Sequence, residues 1–240
     1  MTRVAVVTGG TRGIGQAISC KLQQMGMAVA ATYNGNDANA DEFAERTGIK
    51  VFRWDVADHE ACLEGVRKVE EQVGPVDVLV NNAGITQDGT LLKLAYEQWR
   101  RVIETNLGGC FNMAKAVFEG MKQRSFGRIV NIGSVNGQAG QYGQSNYAAA
   151  KSGIHGLTKA LAQEGARFGI TVNAVAPGYC DTDMVAAVPS DVLAKIVSRI
   201  PVGRLGRAEE IADGVSFLCT ERAGFITGST LSINGGQHMY

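Results

Sequence analysis

Apolar positions along this chain fall into short, continuous, β-branched runs that alternate with longer amphipathic stretches. The runs Val4–Thr8, Ala28–Tyr33, Val51–Asp55, Val76–Val80, Arg128–Ile132, Thr171–Ala176 and Ser229–Ile233 predict strands. A run such as Val76-Asp77-Val78-Leu79-Val80 is nearly continuous in apolar residues, which suits a strand covered on both faces. Between the runs, helical spacing predicts helices over Ile14–Met25, Ala38–Arg46, His59–Val73, Tyr96–Arg124, Tyr147–Phe168 and Ala208–Cys219. Strict alternation of strand and helix implies βαβ units with right-handed crossovers around a parallel sheet. The predicted fold is α/β: one doubly wound, three-layer domain over residues 1–240, with a mostly parallel seven-stranded sheet. Ligands of such sheets bind beyond the carboxyl ends of the strands.

Composition narrows the function classes. The chain has 240 residues, enough to bury a substantial core. Its 23 basic and 23 acidic residues cancel, so there is no basic excess of the kind that grips nucleic acid. With 31 glycines and 4 prolines, the chain suits tight turns and close backbone approaches rather than disordered linkers. Met1-Thr2-Arg3 leads straight into Val4–Val7, too short for a secretory apolar region, and no apolar run reaches the roughly 18 residues that span a bilayer. The five cysteines (Cys20, Cys62, Cys110, Cys180, Cys219) are odd in number and form no C-x-x-C pair, which reads as free thiols of a reducing cytoplasm. His59, His155 and His238 are scattered, indicating neither a metal site nor a Ser–His triad. His155, four residues beyond Lys151, reads as structural or surface.

The turn Thr8-Gly9-Gly10-Thr11-Arg12-Gly13-Ile14-Gly15 joins the first strand to the first helix. Glycines there let the backbone approach a pyrophosphate, and the helix N-terminus offers unpaired N–H groups. The spacing is G-x-x-x-G-x-G, and the alternative is a purely structural turn. The second strand ends Tyr33-Asn34-Gly35-Asn36, with the nearest acid, Asp37, arriving late, and Arg12 stands in the glycine loop. An acid at that strand end favours the ribose of NAD, whereas a basic residue accommodates a 2′-phosphate, so NADP(H) is expected over NAD(H).

Tyr147 and Lys151 lie four apart, on one face of a predicted helix. A free phenol titrates at roughly pH 10, and a nearby ammonium favours its charged form. Ser134 adds a hydroxyl thirteen residues upstream. Taken alone, the spacing is better explained by a packed aromatic and a solvated surface charge; the rest of the chain turns it toward proton transfer.

The glycine loop, Asn81-Asn82-Ala83-Gly84, Asn106, Ser134, Tyr147-x-x-x-Lys151 and Pro177-Gly178 occur in this order, and on them the whole chain resembles the short-chain dehydrogenase/reductase family. The resemblance implies a Rossmann fold, a homotetramer and a catalytic set of Asn106, Ser134, Tyr147 and Lys151. In that set Tyr147 protonates the oxygen of a ketone receiving hydride, Ser134 hydrogen-bonds it, Lys151 tunes Tyr147 and holds the nicotinamide ribose, and Asn106 anchors a water. It also implies cofactor contacts from Gly9, Thr11, Arg12, Gly13, Ile14 and Gly15, from Tyr33 and Asn34, and from Asp55 and Val56 at the adenine. Asn82, Ala83 and Gly84 would line the adenosine side, and Pro177, Gly178 and Thr182 the nicotinamide.

Within the family, the stretch Ser134–Tyr147 is similar to the substrate loop of acetoacetyl-CoA reductases of polyhydroxybutyrate synthesis, as are Asn81–Asp88 and Asn234–Met239. That implies substrate contacts from Asp88, Lys93, Ser134, Gln141, Tyr142, Gln144 and Tyr179 and an acyl-CoA thioester as substrate. Glutamine amides suit the thioester and pantetheine, and Lys93 suits the anionic groups of coenzyme A; a plain polar surface loop is the alternative. Gly133 stands where Ser is common, Tyr142 where Phe is expected and Gln87 where Arg is frequent. A 3-oxoacyl-acyl-carrier-protein reductase shares the same set and stays open. So does a non-catalytic NADP-sensing protein, which would be expected to lack one of Ser134, Tyr147 or Lys151. The segment Cys180–Arg199 reads as a substrate lid or a surface helix, and Cys180 as a reactive thiol or a buried one.

Overall fold

A computed structural model describes residues 2–181 and 190–239. Seven strands form one sheet: β1 (Val4–Val7), β2 (Ala28–Tyr33), β3 (Lys50–Arg53), β4 (Val76–Asn81), β5 (Gly127–Ile132), β6 (Ile170–Pro177) and β7 (Thr230–Ile233). Their order is β3-β2-β1-β4-β5-β6-β7, and every pairing is parallel. Every residue of β4, β5 and β6 is buried, which is why these runs carry no polar alternation.

The helices are α1 (Gly13–Gln24), α2 (Asp37–Thr47), α3 (His59–Gln72), α4 (Tyr96–Ile103), α5 (Gly109–Gln123), α6 (Val135–Ala139), α7 (Ser145–Gly165), α8 (Ser190–Val197) and α9 (Ala208–Leu218). Successive strand residues feed opposite faces of the sheet. Ala5 and Val7 pack with Ile18 and Leu22 of α1, Phe43 of α2 and Val215 of α9. Val4 and Val6 pack with Val66 of α3, Met113 and Met121 of α5 and Ala162 of α7. That alternation produces the three layers. The strand order reverses between β1 and β4, so the crevice above their carboxyl ends is the place for a ligand.

Three local features depart from the sequence expectations. The predicted helix Tyr96–Arg124 is two helices, α4 and α5, joined by a π-helical turn over Glu104–Gly108. Such a turn continues the helix with one extra residue and brings no Pro, Gly-cap or other stop signal of its own, so it is invisible as a break in pattern. α6 is too short for a periodic signal; Ser134 caps it, its Oγ accepting from Asn136 N–H at 3.1 Å. α7 begins two residues before Tyr147 and gives way to a 3-10 turn over Ala166–Phe168. Thr182 and the rest of the 182–189 stretch of the expected lid lie outside the described residues; α8 is a helix in the described part of that segment.

Candidate active site

The glycine loop folds against the end of β4. Gly9 and Gly13 have φ of +60° and +52°, a left-handed backbone that side chains rarely adopt. A Cβ at Gly9 would stand 3.2 Å from Ala83 Cα. Thr8 Oγ1 accepts from the backbone N–H of Asn82 and Ala83 at 2.9 and 3.0 Å. The Asn82 amide donates to the carbonyls of Thr8 and Gly9 at 2.9 and 3.1 Å. Two loops that follow adjacent strands are thereby stitched into one wall. Arg12 occupies the N-cap of α1 with no side-chain cap bond, leaving the first-turn N–H groups facing outward.

Below this wall runs a cleft of about 690 Å³. It is lined by Gly9, Thr11, Arg12, Gly13, Ile14 and Gly15, by Tyr33 and Asn34 at the end of β2, and by Asp55 and Val56 beyond β3. Asn82, Ala83 and Gly84 beyond β4, and Tyr147 and Lys151 on α7, complete it. A glycine cradle, an open helix N-terminus and a cleft of this length fit a nicotinamide dinucleotide. Thr32, Asn39, Trp54, Ile85 and Thr105 also line the cleft and were not anticipated, because they belong to no motif and their places follow from how the elements pack.

At the adenosine end, Asp37 is paired with Arg53. Both its oxygens accept from Arg53, at 3.2 and 3.1 Å, and Arg53 Nε donates to the Asn34 carbonyl at 3.2 Å. Arg53 lies opposite Tyr33 in the β2–β3 pairing, a neighbour that no sequence spacing reveals. Loss of solvent and then the hydrogen bond to Asp37 push the Tyr33 phenol above its ordinary pKa. Arg12 is exposed at the lip of the cleft.

At the other end, Lys151 is only 4% exposed, so it is not a solvated surface charge. Its Nζ donates to the Ile132 carbonyl at 2.7 Å and lies 5.7 Å from the centroid of the Tyr147 ring. Tyr147 is half-buried at the cleft wall. Asn106 comes from the π-helical turn and is fully buried. Its Oδ1 accepts from Ile85 N–H at 2.8 Å and its Nδ2 donates to Ile85 C=O at 2.9 Å. A Cβ at Gly84 would stand 3.0 Å from Asn106 Oδ1 and 3.5 Å from Lys151 Nζ, so both polar groups converge beneath that glycine. Ser134 is buried at the end of β5. Asn146 was missed: it is fully buried, accepts from Tyr147 N–H at 2.8 Å, and donates to the Gln87 carbonyl at 2.9 Å. Nothing in its spacing distinguishes it from a polar loop residue.

The expected substrate residues lie outside the cleft lining. Asp88, Lys93, Gln141 and Tyr142 are exposed, Tyr142 at 87%. Gln144 spends its amide on Asp88, its Nε2 donating at 2.8 Å. Pro177 ends β6, and Gly178 and Tyr179 line a separate pocket of about 140 Å³ with Ile200 and Val202. Cys180 is buried and its thiol is pushed up to about 11 by burial, with Glu210 adding to the rise, which decides against a reactive thiolate. His155 sits half-buried, its Nδ1 3.0 Å from Thr230 Oγ1; burial and then Lys159 lower its pKa, consistent with a structural role. Gly133 packs under β6: a Cβ there would stand 3.3 Å from the Val175 carbonyl and 3.5 Å from His155 Cε1. Among the described residues no cluster of metal-ligating side chains occurs, and no helix is long and apolar enough to cross a membrane.

The geometry agrees with comparison to known proteins. A family model of the short-chain dehydrogenase type, described as enoyl-(acyl carrier protein) reductase, matches residues 9–238. The chain belongs to the short-chain dehydrogenase/reductase family. It is 61% identical over 238 residues to the acetoacetyl-CoA reductase of Shinella zoogloeoides, covering 99% of each chain. It is 59% identical over 239 residues to the acetoacetyl-CoA reductase of Rhizobium meliloti (strain 1021), again covering 99% of each. It is 47% identical over 241 residues to the 3-oxoacyl-acyl-carrier-protein reductase of Escherichia coli (strain K12), covering 99% of this chain and 98% of that one. As a member of this dehydrogenase/reductase family, the chain is an oxidoreductase that acts on CH–OH groups with a nicotinamide cofactor.

Proposed function

We propose that this enzyme reduces the 3-keto group of acetoacetyl-CoA, with NADPH, to (R)-3-hydroxybutyryl-CoA for polyhydroxybutyrate synthesis, as a cytoplasmic homotetramer. The observation that carries the chemistry is the cleft itself, which runs from a glycine cradle to Tyr147 and a buried Lys151. The substrate rests on full-length likeness to acetoacetyl-CoA reductases.

The reduced nicotinamide, when bound, supplies the hydride that adds to the ketone carbon. Tyr147 donates its phenolic proton to the carbonyl oxygen as negative charge grows there. Ser134 holds that oxygen with a hydrogen bond; its Oγ accepts from Asn136 N–H, which leaves the hydroxyl hydrogen free to donate. Lys151, anchored on the Ile132 carbonyl, keeps a positive charge beside the Tyr147 ring. Asn106 fixes the Ile85 backbone and the floor under Gly84. A positioned acid of this kind contributes about 10²–10⁴-fold in rate.

The preference for NADPH is supported by the Asp37–Arg53 ion pair, which engages the nearest acid, and by Arg12 at the lip of the cleft. Steady-state rates with both cofactors test it: NADPH should be used more efficiently, and equal or better use of NADH would refute it. The substrate is tested by kcat/KM on acetoacetyl-CoA against acetoacetyl-acyl-carrier protein. A higher value on the coenzyme A thioester is expected. A higher value on the carrier protein would move the enzyme to fatty-acid synthesis.

A further inference from the structure

We propose that Asn112, on α5, is a positioning residue for the cofactor: it orients the carboxylate of Asp55 through the peptide unit that joins Val56 to Ala57. The inference rests on the reading of the cleft as a nicotinamide dinucleotide site with its adenine at Asp55 and Val56.

Asn112 does not line the cleft; it is buried against the turn that follows β3. Its Nδ2 donates to the Val56 carbonyl at 2.9 Å and to the Ala57 carbonyl at 3.3 Å. Ala57 N–H shares one peptide unit with the Val56 carbonyl and donates to Asp55 Oδ1 at 2.9 Å. A trans peptide is planar, with its C=O and N–H pointing in opposite directions. The amide that holds this carbonyl on the α5 side therefore aims the N–H away from α5, at the carboxylate. A bond to an ionised acceptor is the stronger kind, so the carboxylate follows the peptide. Asn112 is thereby linked to the Asp55 side chain, which does line the cleft.

The other bonds of the turn fix its ends rather than this peptide. Asp58 N–H donates to the Asp55 carbonyl at 3.1 Å, and Asp58 caps α3 by accepting from Ala61 N–H at 3.0 Å. The Cys62 thiol, a weak donor, lies 3.5 Å from the Val56 carbonyl and 3.9 Å from that of Asp55. Among the described residues, Asn112 thus supplies the one amide donor to the Val56 carbonyl. Gly109, three residues before Asn112 on the same helix face, meets the same turn. A Cβ there would come within 2.8 Å of Val56 Cγ2. The missing side chain lets α5 approach closely enough for the Asn112 amide to reach both carbonyls.

Binding measurements test this without reliance on turnover. NADPH affinity is read by fluorescence titration, alongside that of reduced nicotinamide mononucleotide, which has no adenine. Asn112→Asp keeps the side-chain size and sets a carboxylate against the two carbonyls; Asn112→Ala removes the donor without that repulsion. Both should weaken NADPH about tenfold, the size of one hydrogen bond to a charged group, and leave the mononucleotide within about twofold of wild type. Asp55→Ala should weaken NADPH by a similar factor. The double variant D55A/N112A decides the mechanism: with the carboxylate gone, removing its support should cost no more than about a further twofold. A loss in the double variant equal to the product of the single losses would overturn the proposal, since Asn112 would then act independently of Asp55. So would unchanged NADPH affinity in Asn112→Ala, or a loss that falls equally on the mononucleotide, the sign of a general structural effect. Asp55→Ala with wild-type affinity would overturn the placement of the adenine at Asp55, and the proposal with it.

Discussion

Replacing Gly15 by alanine opposes two effects at the first turn of α1. Alanine for a helical glycine ordinarily stabilises by about 0.5–1 kcal/mol, because the unfolded chain loses freedom. At Gly15 the added methyl would overlap the Gly9 carbonyl oxygen and come within 2.5 Å of Asn82 Nδ2. Neither neighbour yields cheaply: one is backbone, and the other donates to Thr8 and Gly9 carbonyls at 2.9 and 3.1 Å. Overpacking costs about 1–3 kcal/mol and each weakened hydrogen bond about 1 kcal/mol, so after the favourable effect the net should be a loss of about 2–4 kcal/mol. Gly156 is the control. It is exposed on α7 with nothing within 4 Å of its Cβ position, so only the favourable effect operates. For a chain of this size, Gly15→Ala should lower Tm by roughly 5–10 °C and Gly156→Ala should raise it by roughly 1–4 °C. Urea and thermal unfolding at matched protein concentration measure both, and titration of NADPH fluorescence should show weakened binding for Gly15→Ala alone. A Gly15→Ala protein as stable as wild type, or shifted in the same direction as Gly156→Ala, would refute the packing argument.

Asn106→Ala strands the buried N–H and C=O of Ile85; each unmet group costs about 1–3 kcal/mol, which should appear as a lower urea midpoint. The Glu210 carboxyl is held down to about 2, first by its hydrogen bond to Arg204 and then by that from Arg207 N–H. A depressed folded-state pKa gives stability that is present above the unfolded value and lost as pH falls through the folded one. Glu210→Gln should therefore melt below wild type at pH 7, with the gap closing as pH falls from 4.5 toward about 2; a gap that persists there would point to another cause. Burial pushes the thiols of Cys62 and Cys219 up to about 12 and those of Cys110 and Cys180 to about 11. A thiol reagent at roughly pH 8, below the ordinary cysteine range, should mark the half-buried Cys20 first by timed labelling and mass spectrometry, and rapid labelling of Cys180 would contradict its burial.

The central strands were legible because burial on both faces writes itself as apolar continuity, and all seven strands fall where the runs predicted them, with edges shifted by a residue or two. The glycine loop was legible for a related reason, since its place between β1 and α1 demands both positive φ and close approach to Ala83. What stayed hidden depends on register and on the direction of side-chain bonds. Arg53 meets Asp37 only because β3 pairs with β2 as it does. The π-helical turn that buries Asn106 joins α4 to α5 without a stop signal in the sequence. The hydrogen bonds of Gln144 with Asp88 and with Asn136 required the loops in space. Pro177 ends β6 and Gly178 and Tyr179 follow it, away from the lining of the large cleft.

The central claim is that Tyr147, half-buried beside Lys151, delivers the proton that completes ketone reduction. Tyr147→Phe keeps the ring and removes only the hydroxyl. Single-turnover reduction of acetoacetyl-CoA, read by loss of NADPH absorbance alongside NADPH affinity, isolates that proton. The rate should fall by at least about 10²-fold with cofactor affinity unchanged; near-normal turnover in this variant would show that the proton comes from elsewhere.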